Sequence, residues 1–279
     1  MPTPRLRPMT VADIEPTVAA ILADDWGDRR GWFEFAVGHP GCEPLVAEVD
    51  GLVVGTGVAT ISGPAAWIGT IWVAPAWRRH GLGRRLTEAT MDLATASGAA
   101  TLVLVATHEG RPLYERLGFT VRTRYHTLEA PGRGGASRAG PVRAFRSDDL
   151  ETMVALDRAA TAEDRAHLLA AFAAPETTRV VTAPDDDSVR GFLIRPPWGG
   201  GATIAMDADA AIELLEERRD GYPTDRSVRC GVLAKNRAGR ARLAELGWTT
   251  AWTAPRLERG PALELDPRAI WGQFNHAMG

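Results

Sequence analysis

The sequence predicts a mixed α/β protein made of two tandem domains, and three observations lead there. Apolar residues alternate between period-2 runs and helical spacing along the whole chain, the pattern of helices packed on a mixed sheet. The length of 279 residues, 45% of them hydrophobic, supplies a core for each of two ordinary domains. Between them, Pro131-Gly132-Arg133-Gly134-Gly135-Ala136-Ser137-Arg138-Ala139-Gly140-Pro141 has too little apolar area to offset its chain entropy and reads as a linker. The expected organisation is a domain over residues 1–130, a linker over 131–140 and a second domain over 141–279.

In the first half, residues 11–23 carry apolar groups at helical spacing with Thr10 as N-cap, and residues 28–37 suit a second short helix. Two strands, 45–49 and 52–61, meet at Asp50-Gly51, a tight-hairpin dipeptide. A strand over 66–73 is stopped by Pro75. Residues 81–97 read as a helix with Leu82, Leu86, Ala89 and Leu93 on one face. A wholly apolar strand over 101–106, a short helix over 112–117 and a strand over 119–128 complete the order β-α-α-β-β-β-α-β-α-β. The second half reads as a loose echo: helices near 150–160, 166–173, 208–218 and 238–246, and strands near 179–182, 189–194, 202–206 and 228–233. Ala244-Glu245-Leu246-Gly247-Trp248 repeats the pattern of Glu115-Arg116-Leu117-Gly118-Phe119, which suggests duplication.

Composition excludes several classes. A net charge of −3 lacks the basic excess of a nucleic-acid binder. Cys42 and Cys230 stand far apart, so neither a disulfide framework nor a metal site is expected, and a reducing compartment fits. The first ten residues have no apolar signal region, and no run approaches the ~18 apolar residues that cross a bilayer. The expectation is a cytoplasmic monomer or homodimer with no metal, nucleic-acid or membrane partner.

The sharpest chemical signal is Thr70-Ile71-Trp72-Val73-Ala74-Pro75-Ala76-Trp77-Arg78-Arg79-His80-Gly81-Leu82-Gly83-Arg84-Arg85-Leu86. A strand ends, a basic turn follows and two glycines open a long helix. Unpaired N–H groups and the positive end of the helix dipole then point the same way, at a site suited to a diphosphate. Leu86 stands where a dinucleotide fingerprint would have its third glycine. The Arg-x-x-Gly-x-Gly run, together with Gly110-Arg111-Pro112-Leu113-Tyr114-Glu115-Arg116-Leu117-Gly118-Phe119, resembles the two signatures of GNAT-superfamily acetyltransferases over residues 5–129.

That resemblance implies acetyl-CoA as co-substrate and an acyltransferase that acetylates a primary amine of a small molecule or peptide. It implies that backbone groups of Ile71, Trp72 and Val73 pair with the pantetheine arm. Arg78, Arg79, His80, Gly81, Leu82, Gly83 and Arg84 would cradle the diphosphate, with Thr107 added to the cofactor set. It puts Tyr114 beside the thioester sulfur, where a phenol protonated at neutral pH can serve as general acid. Residues 67–73 contain no carboxylate, which leaves a distant residue acting through water, an already neutral amine, or a base from another segment; His108 and Glu109 are candidates, and Trp32, Glu34 and His39 are candidates for the acceptor wall. Core packing is the simpler expectation for the remaining aromatic residues. A non-catalytic acyl-CoA binder or sensor is the alternative reading.

The corresponding junction of the second half, Thr203-Ile204-Ala205-Met206-Asp207-Ala208-Asp209-Ala210, lacks the glycine loop, and Leu243 stands where the tyrosine would be. Asp207 and Asp209 would repel a diphosphate there. The second half is therefore expected to be a degenerate GNAT-like domain. A segment around residues 270–274 is expected either to close the acceptor cleft of the first half or to cover an apolar face.

Overall fold

The computed structural model describes residues 2–135 and 140–279, so residues 136–139 of the expected linker lie outside the described residues. The chain divides into two compact units: residues 1–120 with 258–261 and 276–278, and residues 121–257 with 262–275 and 279.

The first unit runs β1 (Arg5–Pro8), α1 (Val11–Leu22), α2 (Arg30–Gly38), β2 (Cys42–Val49), β3 (Leu52–Ser62), β4 (Ala65–Val73), a 3-10 turn at Pro75–Trp77, α3 (Leu82–Ala96), β5 (Thr101–Val105) and α4 (Arg111–Arg116). Its strands lie in the order β1-β2-β3-β4-β5, antiparallel except for the β4–β5 pair. The β2–β3 turn places Asp50 at φ 50 and Gly51 at φ 79, the double left-handed geometry that an Asp-Gly pair tolerates. Helix α3 seats directly on β3. A Cβ at Gly57 would lie 2.5 Å from Thr90 Oγ1, and one at Gly55 would lie 2.7 Å from Leu86 Cδ1.

The buried stripe of α3 differs from the apolar pattern. Leu82 and Leu86 are buried, but Thr87, Thr90, Met91 and Ala94 complete the face, while Ala89 and Leu93 are half-buried. Thr87 Oγ1 donates to Gly83 O at 2.8 Å and Thr90 Oγ1 to Leu86 O at 2.7 Å. With their hydroxyls satisfied by the preceding turn, these threonines are buried at little polar cost.

The second unit holds β6 (Thr120–Pro131, from Val121 onward), β7 (Val142–Ala144), α5 (Asp149–Thr161), α6 (Ala166–Phe172), β8 (Thr178–Thr182), β9 (Val189–Ile194), β10 (Ala202–Ala205), α7 (Ala208–Asp220), β11 (Ser227–Leu233), α8 (Arg237–Glu245), most of β12 (Thr249–Arg259) and β13 (Ile270–Gly272). Its strands run β13-β10-β9-β8-β7 and β12-β6-β11. Strand β6, which local pattern groups with the first half, pairs antiparallel with β11 from Tyr125↔Leu233 to Pro131↔Ser227. The next residues are fastened as well. Gly132 N donates to Arg226 O and Gly134 N to Tyr222 O, each at 2.9 Å, and Arg133 pairs with Glu216 and Asp220. A Cβ at Gly132 would lie 2.3 Å from the carbonyl oxygens of Tyr222 and Pro223, so this glycine serves close backbone approach.

The two units repeat the same local devices. Arg7 of β1 forks onto Asp13 at 2.7 and 2.8 Å, and Arg143 of β7 forks onto Asp149 at 2.8 Å through both nitrogens. Each aspartate also takes the main-chain N–H three residues earlier, Thr10 at 2.8 Å and Arg146 at 2.7 Å. The bond of Phe119 N to Tyr114 O at 3.1 Å recurs as Trp248 N to Leu243 O at 3.0 Å, each across a left-handed glycine. Equal spacing of both devices is what a duplicated unit would retain.

Candidate active site

The site of the first unit begins with an interrupted pairing. β4 and β5 are in register only at Ala65↔Thr101, Ala66↔Leu102 and Trp67↔Val103, although β4 continues to Val73. The interruption coincides with a bulge. Thr56 pairs with Trp72 and Val58 with Gly69, so Thr70 and Ile71 together oppose Gly57. Thr70 takes φ 51, a strained value for a β-branched residue. Two contacts hold it there: Thr56 Oγ1 donates to Thr70 O at 2.7 Å, and Trp32 Nε1 donates to Thr70 Oγ1 at 2.9 Å. The edge of β4 from Ile68 to Val73 thus has main-chain groups that β5 does not take up.

Beyond this edge the chain turns through Pro75–Trp77 and enters α3. Arg79 has φ 63 and Gly81, the N-cap, has φ 81. No side chain caps α3, and its first turn contains no acidic residue. The first helical amide bond is Arg85 N to Gly81 O at 3.1 Å, which leaves the earlier N–H groups directed outward. Gly81 is required by its left-handed backbone. Gly83 is not, and a Cβ there would meet only Val73 Cγ2 at 3.7 Å and Leu113 Cδ2 at 3.9 Å, ordinary contacts. Neither the turn nor packing accounts for Gly83, whose missing side chain leaves the main chain of the first turn of α3 open to approach.

Most of the surrounding cations have partners. Arg78 bonds Val73 O through Nε at 3.0 Å and pairs with Asp24, which also accepts Trp72 Nε1 at 2.8 Å. Arg84 pairs with Glu88 at 2.9 Å and Arg85 reaches Pro4 O at 3.0 Å. His80 folds its Nδ1 to 2.7 Å from Arg78 O, within its own loop. Arg79 stands exposed, without a hydrogen-bond or ion-pair partner among the described residues.

Tyr114 lies on α4, with its ring edge-on to Phe119 at 6.2 Å. Burial raises its phenol to about 12, so the proton is retained at neutral pH. The hydroxyl has no hydrogen-bond partner among the described residues. Leu113, its neighbour, approaches the Gly83 position, which brings the start of α4 to the start of α3.

The remaining sequence candidates sort by what they touch. Thr107 Oγ1 accepts Gly110 N at 3.0 Å and so initiates α4; His108 and Glu109 are exposed in that same turn. His39 accepts Gly41 N at 3.0 Å and lies against Phe35 at 4.5 Å, closing the turn into β2. Glu34 is exposed, whereas Trp32, two residues earlier, is buried and reaches the bulge. Sequence reasoning missed Asp24 and Thr56, neither of which belongs to a motif, the bulge at Thr70, and the residues His276–Met278. In the first unit, Thr60 Oγ1 donates to Ala277 O at 2.8 Å, and a Cβ at Gly69 would lie 2.4 Å from Ala277 Cβ. His276 is half-buried, and burial, followed by the charge of Arg29, lowers its imidazole to about 4.

The second unit closes the same features. The free edge of β10 is taken by β13, with Thr203 opposite Gly272 and Ile204 opposite Ile270. Ala205 N to Ala269 O at 3.0 Å and Gly201 N to Phe274 O at 3.2 Å extend the pairing. The segment around 270–274 therefore covers a strand edge of its own unit. At α7, Asp207 accepts Ala210 N at 2.9 Å and pairs with Arg190 at 2.8 Å, so a carboxylate of the chain occupies the helix start.

No helix is long and apolar enough to cross a membrane, and no metal-binding cluster occurs among the described residues. Residues 11–119 match the acetyltransferase (GNAT) family, and residues 153–272 match an acetyltransferase (GNAT) domain. An uncharacterized N-acetyltransferase of Bacillus subtilis, YitH, is 28% identical over 160 residues, covering 53% of this chain and 54% of that protein. The chain thus spans about half the length of that curated relative. A putative acetyltransferase of Pyrococcus horikoshii shares the fold with a TM-score of 0.82 at 21% identity, over 100% of this chain and 97% of that one. A tandem GNAT protein from the clavulanic acid biosynthesis pathway aligns with a TM-score of 0.63 at 14% identity, over 93% and 99%. With two such domains in succession, each built on the same strand and helix order, this chain belongs to the GNAT family of acetyltransferases as a tandem member.

Proposed function

We propose that the first unit transfers an acetyl group from acetyl-CoA to a primary amine of a small molecule or peptide, by direct attack of the amine on the thioester. The observation that carries this reading is the succession of an unpaired β4 edge and an uncapped α3 N-terminus, with a glycine at position 83 that neither backbone nor packing requires. The edge supplies main-chain donors and acceptors for an extended amide-bearing arm, and the helix start supplies amides and dipole for a diphosphate. Acetyl-CoA carries both groups on one molecule and supplies the activated acyl group.

The chain's own residues then have distinct tasks. The amides from Arg79 to Arg84 hold the diphosphate, aided by the charge of Arg79. The main chain of Ile71, Trp72 and Val73 aligns the arm, and the Val73 N–H polarises the thioester carbonyl. Tyr114, protonated and without an internal acceptor, gives its proton to the departing thiolate. β4 carries no carboxylate, so the amine loses its proton to water or to the exposed His108 or Glu109. Holding amine and thioester together supplies much of the acceleration. The second unit, with β13 on its strand edge and Asp207 on its helix start, has a supporting role.

Thiol release from acetyl-CoA in the presence of a panel of primary amines tests this reading. Acetyl-CoA-dependent release that follows the amine supports it. Tight binding of acetyl-CoA without turnover on any amine would replace it with a sensing role, and no binding would remove it.

A further inference from the structure

We propose that the acceptor amine carries a carboxylate or phosphate, and that Arg29 holds this anion. The inference rests on the acetyl transfer proposed above and names the chemistry of its second substrate. Arg29 begins the first turn of α2, where Phe33 N bonds Arg29 O at 3.0 Å. Trp32, three residues on and buried, reaches the β4 bulge through Nε1. The bulge immediately precedes Ile71–Val73, so Arg29 lies one helical turn from the residue that touches the start of the reactive edge.

Its charge acts on His276, next to the Ala277 that packs on the sheet face opposite α3. Gly55 and Gly57 of β3 face Leu86 and Thr90 of α3, while the alternate residues Thr56 and Thr60 face Thr70 and Ala277. A cation on that second face is placed for the acceptor rather than for a diphosphate at the α3 N-terminus.

Three carboxylates of this corner have other partners. Asp24 takes Trp72 and Arg78, Asp28 takes the Arg30 amide at 2.8 Å, and Glu15 takes the Arg30 guanidinium. Arg29 has no hydrogen-bond or ion-pair partner among the described residues. It is open to solvent, yet burial is the leading cause that lowers its pKa, so part of its hydration is already stripped. The neighbouring C-terminal residue His276 is uncharged at neutral pH and offers it no counter-ion. An accessible guanidinium that feels the charge of Asp28 but is bonded to no carboxylate is suited to a forked bond with an anion on a ligand.

Steady-state kinetics with matched acceptors tests this: glycine and β-alanine against glycinamide and propylamine, and phosphoethanolamine against ethanolamine. The expected result is a kcat/KM at least tenfold higher for the charged member of one pair, with the pair identifying carboxylate or phosphate. Arg29→Ala should raise the acceptor KM by tenfold or more and leave the Kd for CoA within twofold, and Arg29→Lys should restore part of the loss. Equal use of charged and neutral members, or an Arg29→Ala protein with unchanged acceptor KM, overturns the inference. If no amine of the panel turns over, the same pairs are titrated into the CoA-loaded protein by calorimetry, and failure of every anionic member to bind overturns it equally. Failure to bind CoA removes the acetyl-transfer reading instead, so the two failures are distinct.

Discussion

Replacing Gly83 with alanine separates a structural glycine from one that leaves room for a ligand. The added Cβ would meet Val73 Cγ2 at 3.7 Å and Leu113 Cδ2 at 3.9 Å, so nothing inside the protein must move. Alanine in place of glycine near a helix start lowers the entropy of the unfolded chain and favours the folded state by about 0.5 kcal/mol. In a unit of this size that corresponds to a rise in Tm of about 1–2 °C. A diphosphate approaching the Gly83 amide would instead meet the new methyl and lose at least one charge-assisted hydrogen bond, about 1.5–3 kcal/mol. The Kd for CoA should therefore rise at least ~10-fold. Thermal denaturation without ligand and calorimetric titration with CoA read the two effects separately. A Gly83→Ala protein that binds CoA as tightly as the native chain would refute the argument, as would a loss of stability large enough to explain weakened binding.

Three further outcomes are expected. Tyr114→Phe should lower kcat by about 10²-fold with the acetyl-CoA KM within twofold; with the phenol raised to about 12, native kcat should keep its proton donor up to pH ~10, and the stability from burying the neutral phenol should be full below that pH and fade towards 12 in alkaline denaturation. Calorimetry should give one CoA per chain, because β13 covers the β10 edge and Asp207 occupies the α7 start; a stoichiometry of two would contradict this. Gly69→Ala, whose Cβ would lie 2.4 Å from Ala277 Cβ, should destabilise the first unit by about 1–3 kcal/mol in urea. Adding Ala277→Gly should recover part of that loss, and an undisturbed Gly69→Ala protein would deny the contact.

The elements near the glycine-containing start of α3 were legible because each carries a local signature. Asp50-Gly51 imposes its own turn, and Gly81 marks the left-handed step into α3. The bulge at Thr70 was not legible, because one extra residue in a strand leaves no mark on composition, and Thr70 itself reads as an ordinary strand former. Partner choice was equally hidden. Residues 120–131 look like a strand of the first half, yet their pairing with Ser227–Leu233 is set by long-range contacts that alternation cannot encode. The glycines of 132–135 read as flexibility, whereas the Gly132 position is fixed by two carbonyls. For His39 and Thr107, turn chemistry accounts for a polar side chain that function also suggested. The approach of Ala277 to Gly69 joins residues too far apart for any motif to span.

The proposed acetyl transfer depends on main-chain amides at the start of α3 holding the diphosphate. Amide chemical shifts of the isotope-labelled full chain, followed during titration with CoA, report whether they do. Saturable shifts are expected at Gly81, Leu82, Gly83 and Arg84, with those of Ala208 to Ala210 at the start of α7 unmoved. CoA binding that shifts the α7 amides, or leaves the α3 amides where they were, would contradict it.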